Sequence, residues 1–262
     1  AHVPDLVRQA SKTYAGTIAF TQCMPNGMNG SLTYDRVDAL SDDFAAYLRE
    51  TLGLQQGDRV AVQMPNSLSY AVVAFGVFKA GCVLVNTNPL YTAPEMIHQF
   101  SDSGAKVLVV SDMFADRLPE VLGKTDISTV VTVKISEFFP ALISRVIRMV
   151  QKWWNKSLPA IEVPHTGFQD ALASGRGLKN PDALASYLSG ITSESMAALQ
   201  YTGGTTGVSK GAVLTHSNLV SNTLQMISMN GVYIRPGKEI VATALPMDHI
   251  FAFTVNLLGF YH

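Results

Sequence analysis

Short runs of consecutive apolar residues alternate along the chain with stretches whose apolar positions recur at helical spacing. Asp58 to Met64, reading DRVAVQM, predicts a strand, and Ser67 to Lys79 a helix. Cys82 to Val85 predicts a second strand, closed by the polar turn residues Asn86, Asn88 and Pro89. Thr92 and Glu95 form a capping box that opens a helix to about Ser103. Lys106 to Val110 predicts a strand, Met113 to Leu122 a helix, and Ser128 to Val133 a further strand. Val/Leu strands without polar alternation, set between helices, belong to a parallel sheet covered on both faces. The predicted class is α/β, with doubly wound, mostly parallel sheets.

The flanking regions are less regular. The chain before Tyr34 reads as helical with a turn signal inside it, Pro25, Asn26 and Gly27 and then Asn29 and Gly30. Tyr34 to Leu52 carries Val37, Leu40, Phe44, Tyr47 and Leu48 at helical spacing. After Ser157, turn residues accumulate at Pro159, Pro164, Gly167, Gly175, Gly177 and Pro181. Residues 157–190 therefore read as a loop-dominated connection between a first part, 1–190, and a second, 191–262.

Composition adds limits. At 262 residues and 47% hydrophobic content the chain can bury a sizeable core. Charged residues make up 15%, below the roughly 25% usual in soluble domains, so part of the surface is expected to be covered. A net charge of -1 supplies no electrostatic attraction to nucleic acid, and no nucleic-acid partner is expected. Cys23 and Cys82 make neither a disulfide framework nor a metal site by themselves. Ala1 to Ala10 mixes Asp5 and Arg8 among its apolar residues, unlike a signal peptide. The longest apolar run, Tyr70 to Val85, is broken by Lys79 and Gly81 and falls short of the roughly 20 residues that cross a bilayer. A soluble protein of the cytoplasm is expected.

The stretch AALQYTGGTTGVSKGAVLTHSNLV, Ala197 to Val220, carries the most chemistry. Tyr201 to Gly211 holds four glycines, three threonines, one serine and one lysine, between the apolar runs Ala197 to Gln200 and Ala212 to Leu214. Thr215 then caps a helix beginning near Ser217. Glycines let backbone N–H groups converge, hydroxyls add donors, and Lys210 supplies charge; together these bind anions, above all a phosphate chain. Hydroxyls of this kind also reach a phosphate-bound Mg²⁺. Ser209 before Lys210 and Gly211 after it exclude a Walker loop, and no G-x-G-x-x-G is present. A flexible linker is the alternative, but linkers rarely sit between apolar strands.

YTGGTTGVSKG resembles the phosphate-binding loop of the AMP-forming adenylating enzymes, the group of acyl-CoA synthetases, luciferases and peptide-synthetase adenylation domains. SLTY at 31–34, FKAGCVLVNTNP at 78–89, LTHSNL at 214–219 and ALPMDHIFAF at 244–253 resemble its other motifs in order and spacing. NTNPLYTAPEM and HIFAF are most similar to bacterial long-chain fatty acid–CoA ligases. The resemblance implies an incomplete large N-terminal domain of an adenylate-forming enzyme, lacking the C-terminal lid domain and inactive alone. It implies ATP, Mg²⁺ and coenzyme A as cofactor and co-substrates, and a fatty acid as the group activated. Tyr201, Thr202, Gly203, Gly204, Thr205, Thr206, Gly207, Val208, Ser209, Lys210, Gly211 and Ala212 would then bind nucleotide phosphates, with the Thr202 hydroxyl on Mg²⁺. Lys210 and His249 match the positions that act on phosphate and acyl carboxylate. Asp248 departs from the Tyr or Phe usual there, which removes an aromatic wall from the implied acyl site. A ligase for aryl or medium-chain acids, and a nucleotide-binding or membrane-associated protein without catalysis, are the other readings.

Ala141 to Lys156, ALISRVIRMVQKWWNK, follows Phe138, Phe139 and Pro140. At about 100° per residue, Leu142, Val146, Met149, Val150 and Trp153 share one face, while Arg145, Arg148, Lys152 and Lys156 line another. Either this is a surface helix packed on its own sheet or 138–156 is a peripheral contact with the inner face of the cytoplasmic membrane. Self-association is the remaining partner expectation, since open sheet edges invite pairing.

Overall fold

The computed structural model describes residues 2–202, 208–231, 233–259 and 261. Helix α1 (Val3–Thr13) leads into strands β1 (Ile18–Cys23) and β2 (Asn29–Thr33), then α2 (Tyr34–Ala46), which continues through a wider helical turn at Tyr47–Thr51. β3 (Arg59–Gln63), α3 (Leu68–Lys79), β4 (Val83–Asn86), α4 (Ala93–Ser103) and β5 (Ala105–Ser111) follow. A 3₁₀ stretch, Asp112–Arg117, leads to α5 (Leu118–Leu122), β6 (Thr129–Val133) and α6 (Ala141–Met149), which runs on through a wider turn at Val150–Trp154. β7 (Thr166–Gly167), α7 (Phe168–Leu178), α8 (Pro181–Ser186), β8 (Met196–Thr202), β9 (Lys210–Thr215) and α9 (His216–Asn230) come next, before a last helical stretch at Ala252–Gly259.

Seven strands form one sheet in the order β7-β6-β5-β3-β4-β8-β9, parallel except where β9 runs antiparallel to β8. The predicted α/β class is thus observed. Period-two side-chain alternation divides the strands between two cores. Val60, Val62, Val107, Val109, Val131 and Val133 face α2 and α3, whereas Ala61, Leu108, Val110 and Val130 face α4 and α5. Right-handed crossovers explain the layering: β3 to β4 and β4 to β5 run in opposite directions along the sheet, so α3 and α4 cover opposite faces. The capping box is present, with the Thr92 N–H donating to Glu95 Oε2 at 2.7 Å. Thr215 caps α9, accepting from the Asn218 N–H at 3.2 Å.

Two expectations are corrected. The turn at Pro25 to Gly27 closes a β-hairpin rather than interrupting a helix, because β1 and β2 pair along their length and Thr21 and Ser31 share a hydroxyl hydrogen bond of 2.8 Å. The stretch 157–190 holds α7 and α8. Gly175, read as a turn residue, lies inside α7 where that helix presses on α2; a Cβ there would sit 1.8 Å from the Asp43 carbonyl oxygen. Pro181 opens α8 at its first position, behind an Asn180 side chain that accepts from the Ala183 N–H at 2.7 Å. The strand that follows, β8, joins the same sheet beside β4.

One buried group sets a pH limit on stability. His216 is 1% exposed, edge-on to Phe78, and its Nδ1 accepts from the Val3 N–H at 3.3 Å. Burial, reinforced by His2 and opposed by Asp5, lowers its pKa from 6.5 to about 4. In that window the unfolded chain binds more protons than the folded one, so stability is full above pH 6.5 and declines as pH falls toward 4. The loss reaches ~2 kcal/mol by pH 5. Urea unfolding at pH 7 and pH 5 is expected to show this difference in the native chain and to lose most of it in His216→Asn. An equal difference in both proteins would assign the effect elsewhere.

Candidate active site

In open α/β sheets ligands bind beyond the carboxyl ends of the parallel strands. Here the ends of β3, β4 and β8 are roofed by residues 243–251, held by side-chain amides. Asn66 donates from Nδ2 to the Leu245 carbonyl at 2.8 Å and accepts from the Met247 N–H at 2.7 Å. The Tyr70 hydroxyl lies 2.7 Å from Asn86 Oδ1 and 2.9 Å from the Met247 carbonyl. Asn86 Nδ2 donates to Gln200 Oε1 at 3.1 Å, and Gln200 Nε2 donates to the Asp248 carbonyl at 2.8 Å. Gln99 completes the set, donating from Nε2 to the Asn86 carbonyl at 2.7 Å. Buried amides linked in this way fix geometry, because breaking one bond strands its partner.

This lattice brings the roof to the end of β8. Asp248 is tied to Gln200, one residue before Tyr201 and two before Thr202, so the HIFAF segment and the loop share a rim. His249 is exposed at the head of a helical turn, its N–H on the Pro246 carbonyl at 3.0 Å and its Nδ1 accepting from the Phe251 N–H at 3.3 Å. The Asp248 side chain is half-buried; desolvation raises its pKa, against its own backbone N–H and His249, which lower it. Burial and then the Asp248 charge raise the Tyr70 pKa, while for Tyr91 burial and Glu95 come before it.

The glycine-threonine loop springs from a β-hairpin. Thr202 pairs with Lys210, Tyr201 with Gly211 and Gln200 with Ala212 across β8 and β9. Gly203, Gly204, Thr205, Thr206 and Gly207 lie outside the described residues. Thr202, Val208 and Lys210 are exposed at the two stems, with Ser209 half-buried between them. Gly211 is required where it stands, since a Cβ would lie 2.9 Å from the Tyr201 ring.

Helix α4 fastens both stems. Asp102 Oδ2 accepts from the Tyr201 hydroxyl at 2.5 Å, and His98 Nε2 donates to the Ser209 carbonyl at 2.8 Å. His98 and Asp102 are four residues apart and so share one helix face. Burial, and then the Asp102 carboxylate, push the Tyr201 pKa well above its ordinary value, keeping it a donor at neutral pH. Sequence reading passes over both residues, although the capping box at Thr92 fixes where α4 begins and hence which positions share that face.

The described donors, two hydroxyls and an ammonium at the mouth of a glycine loop, fit phosphate oxygens. No group of three His, Cys, Asp or Glu among the described residues is arranged to hold a metal. A Mg²⁺ here would rest on substrate phosphates with a hydroxyl such as that of Thr202 beside it, as this ion does when it retains much of its own water.

Residues 6–262 match the family described as AMP-binding enzyme. The chain is 40% identical over 256 residues to a long-chain-fatty-acid–CoA ligase of Escherichia coli O6:H1, covering 98% of this chain and 44% of that protein. It is 32% identical over 257 residues to a 4-coumarate–CoA ligase-like protein of Oryza sativa subsp. japonica, covering 96% and 39%. Among solved structures, a long-chain-fatty-acid-CoA ligase from Archaeoglobus fulgidus superposes with TM-score 0.68 at 22% identity, over 99% of this chain and 45% of that one, a likeness of fold. The chain thus spans less than half the length of the curated relatives it matches. With its family model matched from residue 6 to residue 262, nearly its whole length, the chain belongs to the AMP-binding enzyme family.

Proposed function

We propose that the chain is the ATP-gripping portion of an AMP-forming long-chain fatty acid–CoA ligase. A fatty acid carboxylate oxygen attacks the α-phosphorus of ATP, and the bond to pyrophosphate breaks. The thiolate of coenzyme A then attacks the acyl carbonyl, and AMP leaves. The first step moves negative charge onto the departing pyrophosphate, and donors fixed before reaction stabilise that charge at no reorganisation cost. Loop amides, the Thr202 and Ser209 hydroxyls and Lys210 take this role. Mg²⁺ would supply further charge neutralisation on the phosphates. To His249, on the rim shared with the loop's stem, falls the orientation of the acyl carboxylate. The observation that carries the reading is the pairing of Thr202 with Lys210 at the end of β8, which brings together the two flanks of the glycine-threonine stretch.

We assign residues 1–190 and 191–262 to successive parts of one large adenylate-forming domain, and place the protein in the cytoplasm with peripheral membrane contact through 138–156. Self-association through open sheet edges would be its protein contact. Isothermal titration with ATP and Mg²⁺ tests the reading. Saturable one-site binding supports it; no heat at millimolar ATP from chain shown folded by circular dichroism overturns it.

A further inference from the structure

Helix α6 and its continuation turn their apolar side outward. Ile147 and Gln151 are buried beneath, Arg148 reaches Asp112 Oδ2 at 2.6 Å, and Ser144 shares a 2.9 Å hydrogen bond with Ser136. These contacts fix the helix in rotation. Leu142, Met149, Trp153 and Trp154 are consequently 74%, 59%, 75% and 87% exposed, with Val146 and Val150 between them. Arg145, Lys152 and Lys156 are exposed beside this stripe, and no Asp or Glu occurs from Ala141 to Lys156. Lys152 Nζ lies 5.5 Å from the Trp153 ring centroid.

We propose that this outward side of residues 141–156 docks onto anionic lipid headgroups at a bilayer surface, Trp153 and Trp154 entering the interface and Arg145, Lys152 and Lys156 meeting the phosphates. It deepens the membrane contact proposed above and is independent of the ligase activity. The charge pattern selects the occupant. A second copy of this stripe would bring like cations together, whereas an apolar band with a cationic flank and interfacial tryptophans matches a negatively charged lipid surface. The position in the fold agrees. Asp112, Met113 and Ser136, which hold the helix, lie just beyond the carboxyl ends of β5 and β6, the same end of the sheet as the nucleotide loop. Four strand spacings separate β6 from β8, about 19 Å. A docked helix would set the site's rim near the layer into which a long-chain acid partitions.

Both tryptophans of the protein lie on this helix, so tryptophan emission, excited selectively at the red edge, reports on this surface alone. Vesicles of phosphatidylcholine, with and without phosphatidylglycerol, are titrated into the protein while emission is followed. The expected result is a blue shift, and quenching by brominated lipid, with the anionic vesicles only. Lys152→Glu/Lys156→Glu should weaken that partitioning at least about tenfold, and Trp153→Ser/Trp154→Ser should abolish co-sedimentation; these side chains are exposed, and circular dichroism checks the fold. An unchanged spectrum with anionic vesicles, equal shifts with both lipids, or a shift that follows protein concentration without lipid would overturn the proposal, the last assigning the face to a second copy.

Discussion

Lys79→Ala is expected to destabilise the fold by about 3–5 kcal/mol, the range for removing one partner of a buried ion pair. Lys79 closes α3 and is fully buried, its Nζ 2.5 Å from Asp38 Oδ1, 2.8 Å from Asp42 Oδ1 and 3.0 Å from the Asp38 carbonyl. Its ammonium locks α3 to α2 along the seam where Gly76 meets Phe44, a hypothetical Cβ lying 2.8 Å from that ring. Without it, Asp38 and Asp42 face each other across one helical turn as uncompensated like charges beside a cavity. Urea unfolding measures the effect. Lys79→Met restores the volume but not the charge, so it should recover only the cavity part of the loss. If both variants unfold like the native chain, the buried ammonium contributes nothing to stability. The lysine of FKAG would then have to be explained by the site rather than by packing.

Lys79 shows how far the sequence alone reaches. Its motif was visible and its strand neighbours were readable, because β3 to β6 are apolar almost throughout and only a sheet covered on both faces accepts such strands. What the lysine does was not visible, since its partners lie 41 and 37 residues earlier on a separate helix. The misread regions share a cause. Gly175 and Pro181 look like turn residues by type, yet one is demanded by helix contact and the other by a helix start; composition cannot separate these from a loop. The hairpin of β1 and β2 was masked because its turn signal was legible and its pairing was not. For 141–156 the two faces were legible, but periodicity cannot say which one the sheet covers; Ile147 and Gln151 decide that by packing inward. The expectation of a phosphate loop rests on chemistry that is local to one stretch of sequence. His98, 111 residues before Ser209, and Gln200, 48 before Asp248, act across the fold and leave no local trace.

Lys210→Ala is expected to weaken ATP binding roughly 10- to 100-fold, corresponding to about 1.5–3 kcal/mol for a hydrogen bond to a charged group. Lys210 is the only cation between Tyr201 and Ala212, and it begins β9 directly opposite Thr202, at the mouth through which the phosphates would enter. Its side chain is exposed, so truncation leaves no buried orphan, and thermal unfolding should be unchanged within about 0.5 kcal/mol. That separation gives the test its force: affinity falls while stability stays. Titration of both proteins with ATP and Mg²⁺ reads the first, calorimetric melting the second. His98→Ala provides the graded counterpart. It removes the 2.8 Å hydrogen bond to the Ser209 carbonyl without touching nucleotide, so the loop's ordering cost rises and affinity should fall by less, about three- to tenfold. His98→Gln, which can still donate, should recover part of that loss. If Lys210→Ala binds ATP as tightly as the native chain, the ammonium does not meet the phosphates. If His98→Ala exceeds it in effect, the loop's shape outweighs its charge.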